Sequence, residues 1–351
     1  MNVDRRKALI GVVVALALTV GAVALLGQLT SYGELADAVR RADKRWLPLC
    51  LLGEVAAYLG YVVAYRSVAA ADGGPKLPYR EAAQVITLGL GAYVIGSGAG
   101  GLTVDYWAMR KAGATTHEAA RRTLALNTLQ AAGLTTLAAL AGLVVLILGA
   151  SGWALALAIV WLAVVPAATA AAAVVSGERL APRILDVPEG GNRWVRKARK
   201  LFADTIGGVV VVRHVVSHPL RYLGGVAGYP LFWIGDFFIL WVALVAFGVH
   251  LDPARLVLAE ATAWVLSFVP LPGGGSGVAE ASMAGMLHVM GVPFAEALPA
   301  AVTYRAVNFW LPLLPALALL PRARRLQEEL GETDRAAQDE DAAIHAAGGR
   351  F

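Results

Sequence analysis

Charged residues and cysteines are scarce in this sequence, and each scarcity excludes a class of protein. Charged residues make up 16% of the 351 residues, against about 25% in an average soluble domain, and 58% of the chain is hydrophobic. This composition excludes an ordinary soluble fold. The single cysteine, Cys50, lies inside an apolar run, so the chain can form no intramolecular disulfide and no thiolate metal cluster.

The hydrophobic residues are gathered in long runs, each near the roughly 20 residues that cross the hydrocarbon core of a bilayer. Six of them predict full membrane spans: 8 to 29, 47 to 70, 122 to 149, 152 to 176, 221 to 248 and 297 to 320. The first run could be a signal peptide, but it is too long and lacks a small-residue cleavage site, so we interpret it as a span. The sequence therefore predicts an all-α, polytopic membrane helix bundle.

Basic residues indicate on which side of the membrane the loops lie, because lysine and arginine gather on the cytoplasmic side. With the amino terminus inside, the basic segments 66 to 80, 110 to 122 and 177 to 221 and the arginines after residue 321 all fall on that side. We therefore expect a multi-pass protein of the cytoplasmic membrane with both termini in the cytoplasm. The net charge of +5 then reflects topology and not nucleic-acid binding, since the basic residues lie in short loops between spans.

The expected domain boundaries follow from these spans. Residues 1–45 hold the first span and a surface amphipathic helix, 46–150 a first repeat, 151–220 a span and a basic cytoplasmic loop, 221–321 a second repeat, and 322–351 a polar, disordered tail. The density of basic residues in the loop suits anionic headgroups, although the topology signal alone would also explain it.

Two further apolar segments, 81 to 112 and 254 to 291, cannot be plain helices. Each proline costs a helix interior about 3 kcal/mol and each glycine about 1 kcal/mol. The interrupting residues are Gly98, Gly100 and Gly101 in the first segment and Pro270, Pro272, Gly273, Gly274, Gly275 and Gly277 in the second. Such a stretch is tolerated at membrane depth only where it is buried in protein or lines a wet cavity. Both segments are therefore predicted to be re-entrant, broken-helix hairpins.

The two broken segments also correspond to each other at an offset of 178 residues. Gly113-Ala-Thr-Thr-His-Glu-Ala aligns with Gly291-Val-Pro-Phe-Ala-Glu-Ala, and the same offset lays span 47–70 over 225–248. Three predicted spans separate the hairpins, so the hairpins should enter from opposite sides of the membrane. Inverted repeats with broken helices that meet near the midplane are typical of transporters.

Ionisable residues inside the apolar segments are the candidate substrate-binding residues. A charge at the bilayer centre costs about 2.5 to 3.5 kcal/mol on insertion scales and usually faces protein or water. The candidates are Glu280, Arg305, Asn308, Asp105, Arg110 and Asp236, with Glu54 a weaker one. We expect Glu280 and Arg305 to pair, either at a transport site or as a structural ion pair that fixes the second hairpin against its neighbour.

Two other sequence patterns give weaker evidence of a function. The run from Gly96 to Gly101 fits the dinucleotide fingerprint, but the strand and the βαβ unit which that motif requires are missing from the pattern. His214 and His218 share a helix face, but no glutamate lies between them to serve as a zincin base. We therefore predict no catalytic residues, no metal and no cofactor.

The second hairpin and the last span resemble the signature of the lysylphosphatidylglycerol synthase transmembrane-region family, also described as the UPF0104 integral membrane proteins. The shared pattern is Pro-x-Pro-Gly-Gly, a further glycine, a glutamate, a Gly-Val turn followed by alanine, and an arginine. The matching residues are Pro270, Pro272, Gly273, Gly274, Gly277, Glu280, Gly291, Val292, Ala297 and Arg305. The resemblance covers nearly all of residues 8–321 and gives Arg110 a counterpart in the first hairpin.

This resemblance implies a flippase-type membrane domain that moves a phospholipid between leaflets, with anionic or phosphate-bearing lipids as its partners. The aminoacyl transferase domain that such proteins attach is expected to be missing, since the chain ends at Phe351 after a short polar tail; we therefore expect no enzyme activity. Two alternatives stay open. One is a membrane scaffold for a lipid-modifying enzyme partner, and the other is an enzyme acting on a lipid-linked phosphate with Glu280 or Asp105 as general base.

Overall fold

The computed structural model describes residues 5–29, 31–96, 98–177, 179–185, 192–267 and 275–319. These residues are almost entirely helical, and none of them lies in a β-strand. The all-α class predicted from the sequence is therefore confirmed.

The helices follow the predicted spans and broken segments in chain order. They are α1 (Arg5–Leu26), α2 (Tyr32–Arg41), α3 (Leu47–Ala69), α4 (Tyr79–Gly96), α5 (Gly98–Lys111), α6 (Thr116–Ile147), α7 (Gly152–Val175), α8 (Ala181–Leu185), α9 (Arg193–Ser217), α10 (Leu223–Ala246), α11 (Pro253–Leu266), α12 (Val278–Val289), α13 (Phe294–Arg305) and α14 (Leu311–Leu319). A π-helical turn, Ala306–Trp310, joins α13 to α14.

Four of the described helices, α3, α6, α7 and α10, are long and apolar enough to cross a membrane. The apolar part of α1, Ile10–Leu26, is shorter, and the last predicted span is divided among α13, the π-helical turn and α14. Large apolar side chains such as Ile147 and Trp153 are about two-thirds exposed or more, which is the pattern of a surface that contacts lipid. The chain is a multi-pass helical membrane protein.

Helices α3 and α10 form the most extensive helix pair among the described elements. Gly53 lies opposite Gly235 and Gly60 lies opposite Gly228, so that the two backbones nearly touch. Small residues allow membrane helices to pack closely where lipid provides no hydrophobic driving force. From the first glycine pair to the second, the residue number increases in α3 and decreases in α10, so the two helices are antiparallel. An inverted repeat would relate them in this way, and the repeat itself stays a prediction.

Each broken segment is a pair of packed helices on either side of an interruption, α4 with α5 and α11 with α12. Gly98 begins α5, and a Cβ on Gly100 would collide with the backbone carbonyl of Ala92 in α4. In the second segment Gly275 and Gly277 have φ angles of +72° and +87°, where an L side chain is strained. Gly101 faces α4 across ordinary contact distances. The predicted turn residues Pro270, Pro272, Gly273 and Gly274 lie outside the described residues.

The basic stretch 177–219, expected to be a loop, contains the 25-residue helix α9. Buried Ala203 and Ile206 lie three positions apart on the face of α9 that packs against α6, and buried Val215 lies against Gly225 of α10. Residues three positions apart share one face of a helix. The charge density of the segment obscured these buried positions, and so the expected loop is corrected to a helix.

Replacing Gly60 with alanine should separate α3 from α10, because the new Cβ would lie 2.6 Å from the backbone nitrogen of Phe232. We expect a lower unfolding temperature in detergent, since overpacking costs roughly 1–3 kcal/mol. Gly285→Ala in α12 is the matched control, because nothing lies within 4 Å of its Cβ and alanine favours a helix by about 1 kcal/mol. Equal stability of the two variants would contradict the close glycine contact.

The orientation of the two hairpins can be tested with single cysteines at Ser97, between α4 and α5, and at Ser267, which follows α11. The native thiol of Cys50 is fully buried, and Cys50→Ala removes it. If the repeats are inverted, an impermeant thiol reagent labels Ser267→Cys from outside and Ser97→Cys from the cytoplasmic side. A permeant reagent that labels both is the control, and labelling of both from one side would rule out the inversion.

Candidate functional site

Side chains from four helices and the π-helical turn meet in what we call the polar cluster. Its members are Asp236 of α10, Glu260 of α11, Glu280 of α12, Tyr304 and Arg305 of α13, and Asn308 of the π-helical turn. The three carboxylates are at most 2% exposed. Burying a charge without compensation is very unfavourable, so the partners of each carboxylate decide what the cluster can do.

The structure brings Glu280 and Arg305 together. The Oε1 atom of Glu280 lies 3.5 Å from the Nε of Arg305 and accepts a hydrogen bond of 3.1 Å from the hydroxyl of Thr19 in α1. Its Oε2 atom accepts a 2.6 Å bond from the backbone N–H of Gly277 at the start of α12. Glu280 is thus held by α1, by α13 and by the first turn of its own helix, and it fixes the second hairpin against α1 and α13. Thr19 was not a sequence candidate, since one threonine in an apolar span is unremarkable.

The guanidinium of Arg305 uses only some of its hydrogen-bond donors within the described structure. Its side chain is 12% exposed, and it lies over the ring of Phe309 at 4.1 Å. Among the described residues the Nη2 atom has no hydrogen-bond acceptor, and the Nε atom faces Glu280 at ion-pair distance without forming a hydrogen bond. Buried donors without acceptors are unfavourable by about 1–3 kcal/mol. Arg305 is therefore suited to take an anionic oxygen, because guanidinium groups bind phosphate and carboxylate through paired N–H donors.

Asp236 is an acceptor for two neutral donors. The hydroxyl of Tyr304 donates a 2.8 Å bond to its Oδ2, and the amide of Asn308 donates to its Oδ1. Asn308 lies in the π-helical turn, a widened turn that is frequent at functional sites. Arg305, just before this turn, also attracts the carboxylate electrostatically. The sequence candidates Asp236, Arg305 and Asn308 thus belong to one cluster.

Glu260 was missed by the sequence analysis and lies beside Asp236 and Tyr304. It is 1% exposed, and neither of its carboxylate oxygens meets a hydrogen-bond donor in the described part of the chain. The weaker candidate Glu54, on α3, also acts electrostatically on Asp236. Glu260 could have been found from the sequence, because it is a lone acid in the apolar run Leu256-Val-Leu-Ala-Glu260-Ala.

Two sequence candidates lie elsewhere. Asp105 is buried in α5, where its electrostatic neighbours are the phenol groups of Tyr61, Tyr65 and Tyr229. Arg110 is exposed and donates to the carbonyl of Ala114 at 2.5 Å, so it closes the carboxyl end of α5. The structure therefore does not unite these residues with the polar cluster.

The described residues contain no group of three or more histidine, cysteine, aspartate or glutamate side chains that could hold a metal ion. His214 lies 2.8 Å from a carboxylate oxygen of Asp72 and stacks on His218, with ring centroids 4.5 Å apart. His214 therefore ties α9 to the turn after α3.

An apolar helical bundle with two interrupted helix pairs and a buried charged cluster defines a polytopic membrane protein with polar machinery inside the membrane domain. The chain belongs to the family described as the lysylphosphatidylglycerol synthase transmembrane region, whose model matches residues 10–316. The resemblance drawn from the second hairpin and the last span is confirmed. No curated protein matches the chain. The family associates this membrane domain with lipid handling.

The Glu280–Arg305 pair can be tested by removing its charges singly and together. Breaking a buried pair from one side leaves an uncompensated charge and costs about 3–5 kcal/mol, so Glu280→Gln and Arg305→Gln should each lower the unfolding temperature. Glutamine still accepts from Gly277, so Glu280→Gln tests the charge and not the cap. The double variant should unfold at a higher temperature than either single variant. Additive losses in the double variant would show that the two charges do not interact.

Proposed function

We propose that this protein moves a phosphate-bearing lipid between the two leaflets of the membrane, with the headgroup passing the polar cluster while the acyl chains stay in lipid. The observation that carries the proposal is the guanidinium of Arg305, which lies inside a membrane bundle with its side chain 12% exposed. Among the described residues its Nη2 atom has no acceptor, and its Nε atom meets Glu280 only at ion-pair distance. Charged residues inside membrane domains typically mark substrate pathways. A lipid phosphate supplies the anionic oxygens that this group lacks.

The position of α1 supports an entry route for the headgroup. This helix packs against α4 of the first hairpin and α12 of the second, and its Thr19 donates to Glu280. Most of its described side chains are exposed or half-buried, with Ala15 and Thr19 among the few buried ones. Moving α1 would therefore expose little buried apolar surface, and the movement would open the polar cluster to the lipid.

A scaffold role is the second candidate, and one surface favours it. The amino-terminal part of α9 exposes Trp194, Leu201 and Phe202 by more than half next to Arg199 and Lys200. Such an amphipathic, basic surface binds anionic membranes or a partner at the membrane. The enzyme alternative has less support, because Glu280 is committed to three partners and Asp105 lies among tyrosines away from it.

The proposal is tested with purified protein in vesicles that contain a phospholipid labelled on its headgroup or a short acyl chain, and a membrane-impermeant quencher. We expect wild-type protein to make inner-leaflet label accessible. Arg305→Gln should slow this movement about 10- to 100-fold, since bonds to a charged group contribute about 1.5–3 kcal/mol. Arg305→Lys should retain part of the rate, because lysine keeps the charge and loses the paired donors.

The matched control is Arg40→Gln, which removes an arginine that is 81% exposed on α2 and should leave the rate unchanged. Chromatography of the recovered lipid separates the candidates. Intact lipid that has changed leaflet supports translocation, chemically altered lipid supports the enzyme alternative, and lipid that is neither moved nor altered supports the scaffold.

A further inference from the structure

The neighbouring carboxylates of Glu260 and Asp236 pose a chemical problem, because each acts electrostatically on the other and both are buried beside the hydroxyl of Tyr304. Both groups are only acceptors when ionised. Glu260 is 1% exposed and neither of its oxygens has a donor among the described residues. Two adjacent carboxylates in a buried site cannot both ionise without a large penalty. A proton held between them resolves the missing donor and the repulsion together.

The hydrogen bonds indicate which carboxyl group carries this proton. Asp236 already accepts from Tyr304 and Asn308 and is attracted by Arg305, and donors of this kind favour the ionised form. Glu260 also lies beside Tyr304, but that hydroxyl donates to Asp236, and neither Glu260 oxygen has a donor among the described residues. This difference favours Glu260 as the group that would carry the proton and donate it to Asp236.

The charges around the pair show what the proton controls. Glu54 on α3, Glu280 on α12 and Tyr304 and Arg305 on α13 face the pair or its partners. Helix α6 also packs on α11, and its ionisable residues are confined to 117–122, whereas the sequence of α7 contains none. Arg305 is thus the cation that the described residues bring to the acids of the polar cluster. A phosphate that joined Arg305 would add negative charge beside those acids, and a proton on one of them would offset it.

We propose that Glu260 and Asp236 share one proton and that this proton is taken up with the lipid phosphate and released with it, so that a proton gradient drives lipid movement in the direction of proton flow. This inference rests on the proposed lipid translocation. Coupling between two binding events is reciprocal, so a proton that favours phosphate binding is itself held more tightly when the phosphate is bound.

The shared proton is tested first by infrared spectroscopy of the purified protein at neutral pH. We expect a carbonyl-stretch band of a protonated carboxylic acid that shifts in deuterated water and is lost in Glu260→Gln. Glu296→Gln, on α13, is the matched control: its residue is half-buried and has one buried oxygen without a partner. The control should keep the band. Absence of the band from the wild-type protein would overturn the shared proton without any variant.

The coupling is tested in vesicles with labelled phosphatidylglycerol and an imposed pH difference. If one proton moves with each lipid, one pH unit supports at most about a tenfold enrichment of lipid in the alkaline leaflet. Glu260→Gln, which mimics the protonated carboxyl, should still equilibrate lipid between leaflets but show no enrichment. Glu296→Gln should behave like the wild-type protein.

The outcomes separate the two proposals. Wild-type protein that moves lipid equally with and without the gradient, or that responds to a sodium gradient at constant pH, would overturn proton coupling and leave translocation standing. A Glu260→Gln variant that folds, moves lipid and still enriches it in the alkaline leaflet would also overturn the coupling. Protein that shows the infrared band but moves no lipid under any gradient would overturn translocation and the coupling with it.

Discussion

Burial of charge inside a membrane bundle is the constraint on which the arrangement of this protein depends. An ionised carboxylate in a low-dielectric site must find donors or a counter-charge. Glu280 has a backbone N–H, a hydroxyl and a guanidinium, and Asp236 has a phenol and an amide. Glu260 has none of these in the described structure. The fold therefore fixes two of these carboxylates by hydrogen bonds, and the third is the one for which we propose a shared proton.

The close packing of α3 on α10 positions this chemistry. Gly53 and Gly235 bring the two backbones together at the level where α10 carries Asp236 and α3 carries Glu54. A larger residue at either glycine would move these acids apart along with their helices. The same close approach that replaces a hydrophobic driving force in lipid thus also sets the distance between two ionisable groups. A substitution that changes the packing of α3 on α10 would therefore also change the electrostatic interaction between these two acids.

Much of the architecture could be predicted, because backbone groups in lipid must find their hydrogen bonds within the protein. Long apolar runs must be helices, and prolines and glycines such as Gly277 must interrupt them, so the spans, the broken segments and the Glu280–Arg305 pair were visible in the sequence. Other features depend on tertiary structure. Thr19 and Glu260 acquire their roles from helices remote in the chain, and the π-helical turn that presents Asn308 has no sequence signature. The charge density of residues 177–219 hid the buried apolar positions of α9.

The polar cluster is also unequal between the two halves of the chain. At the offset of 178 residues that relates the broken segments, Tyr58, Asn127 and Gln130 occupy the positions of Asp236, Arg305 and Asn308. Tyr58 is bonded to its own neighbours, donating to the carbonyl of Ala83 at 2.6 Å. The first half thus keeps polar side chains at these positions but not the charges. A charge-assisted bond is roughly twice as strong as a neutral one. In the proposed translocation, the second half therefore offers the stronger site for a phosphate, and the first half offers only neutral groups at the corresponding positions.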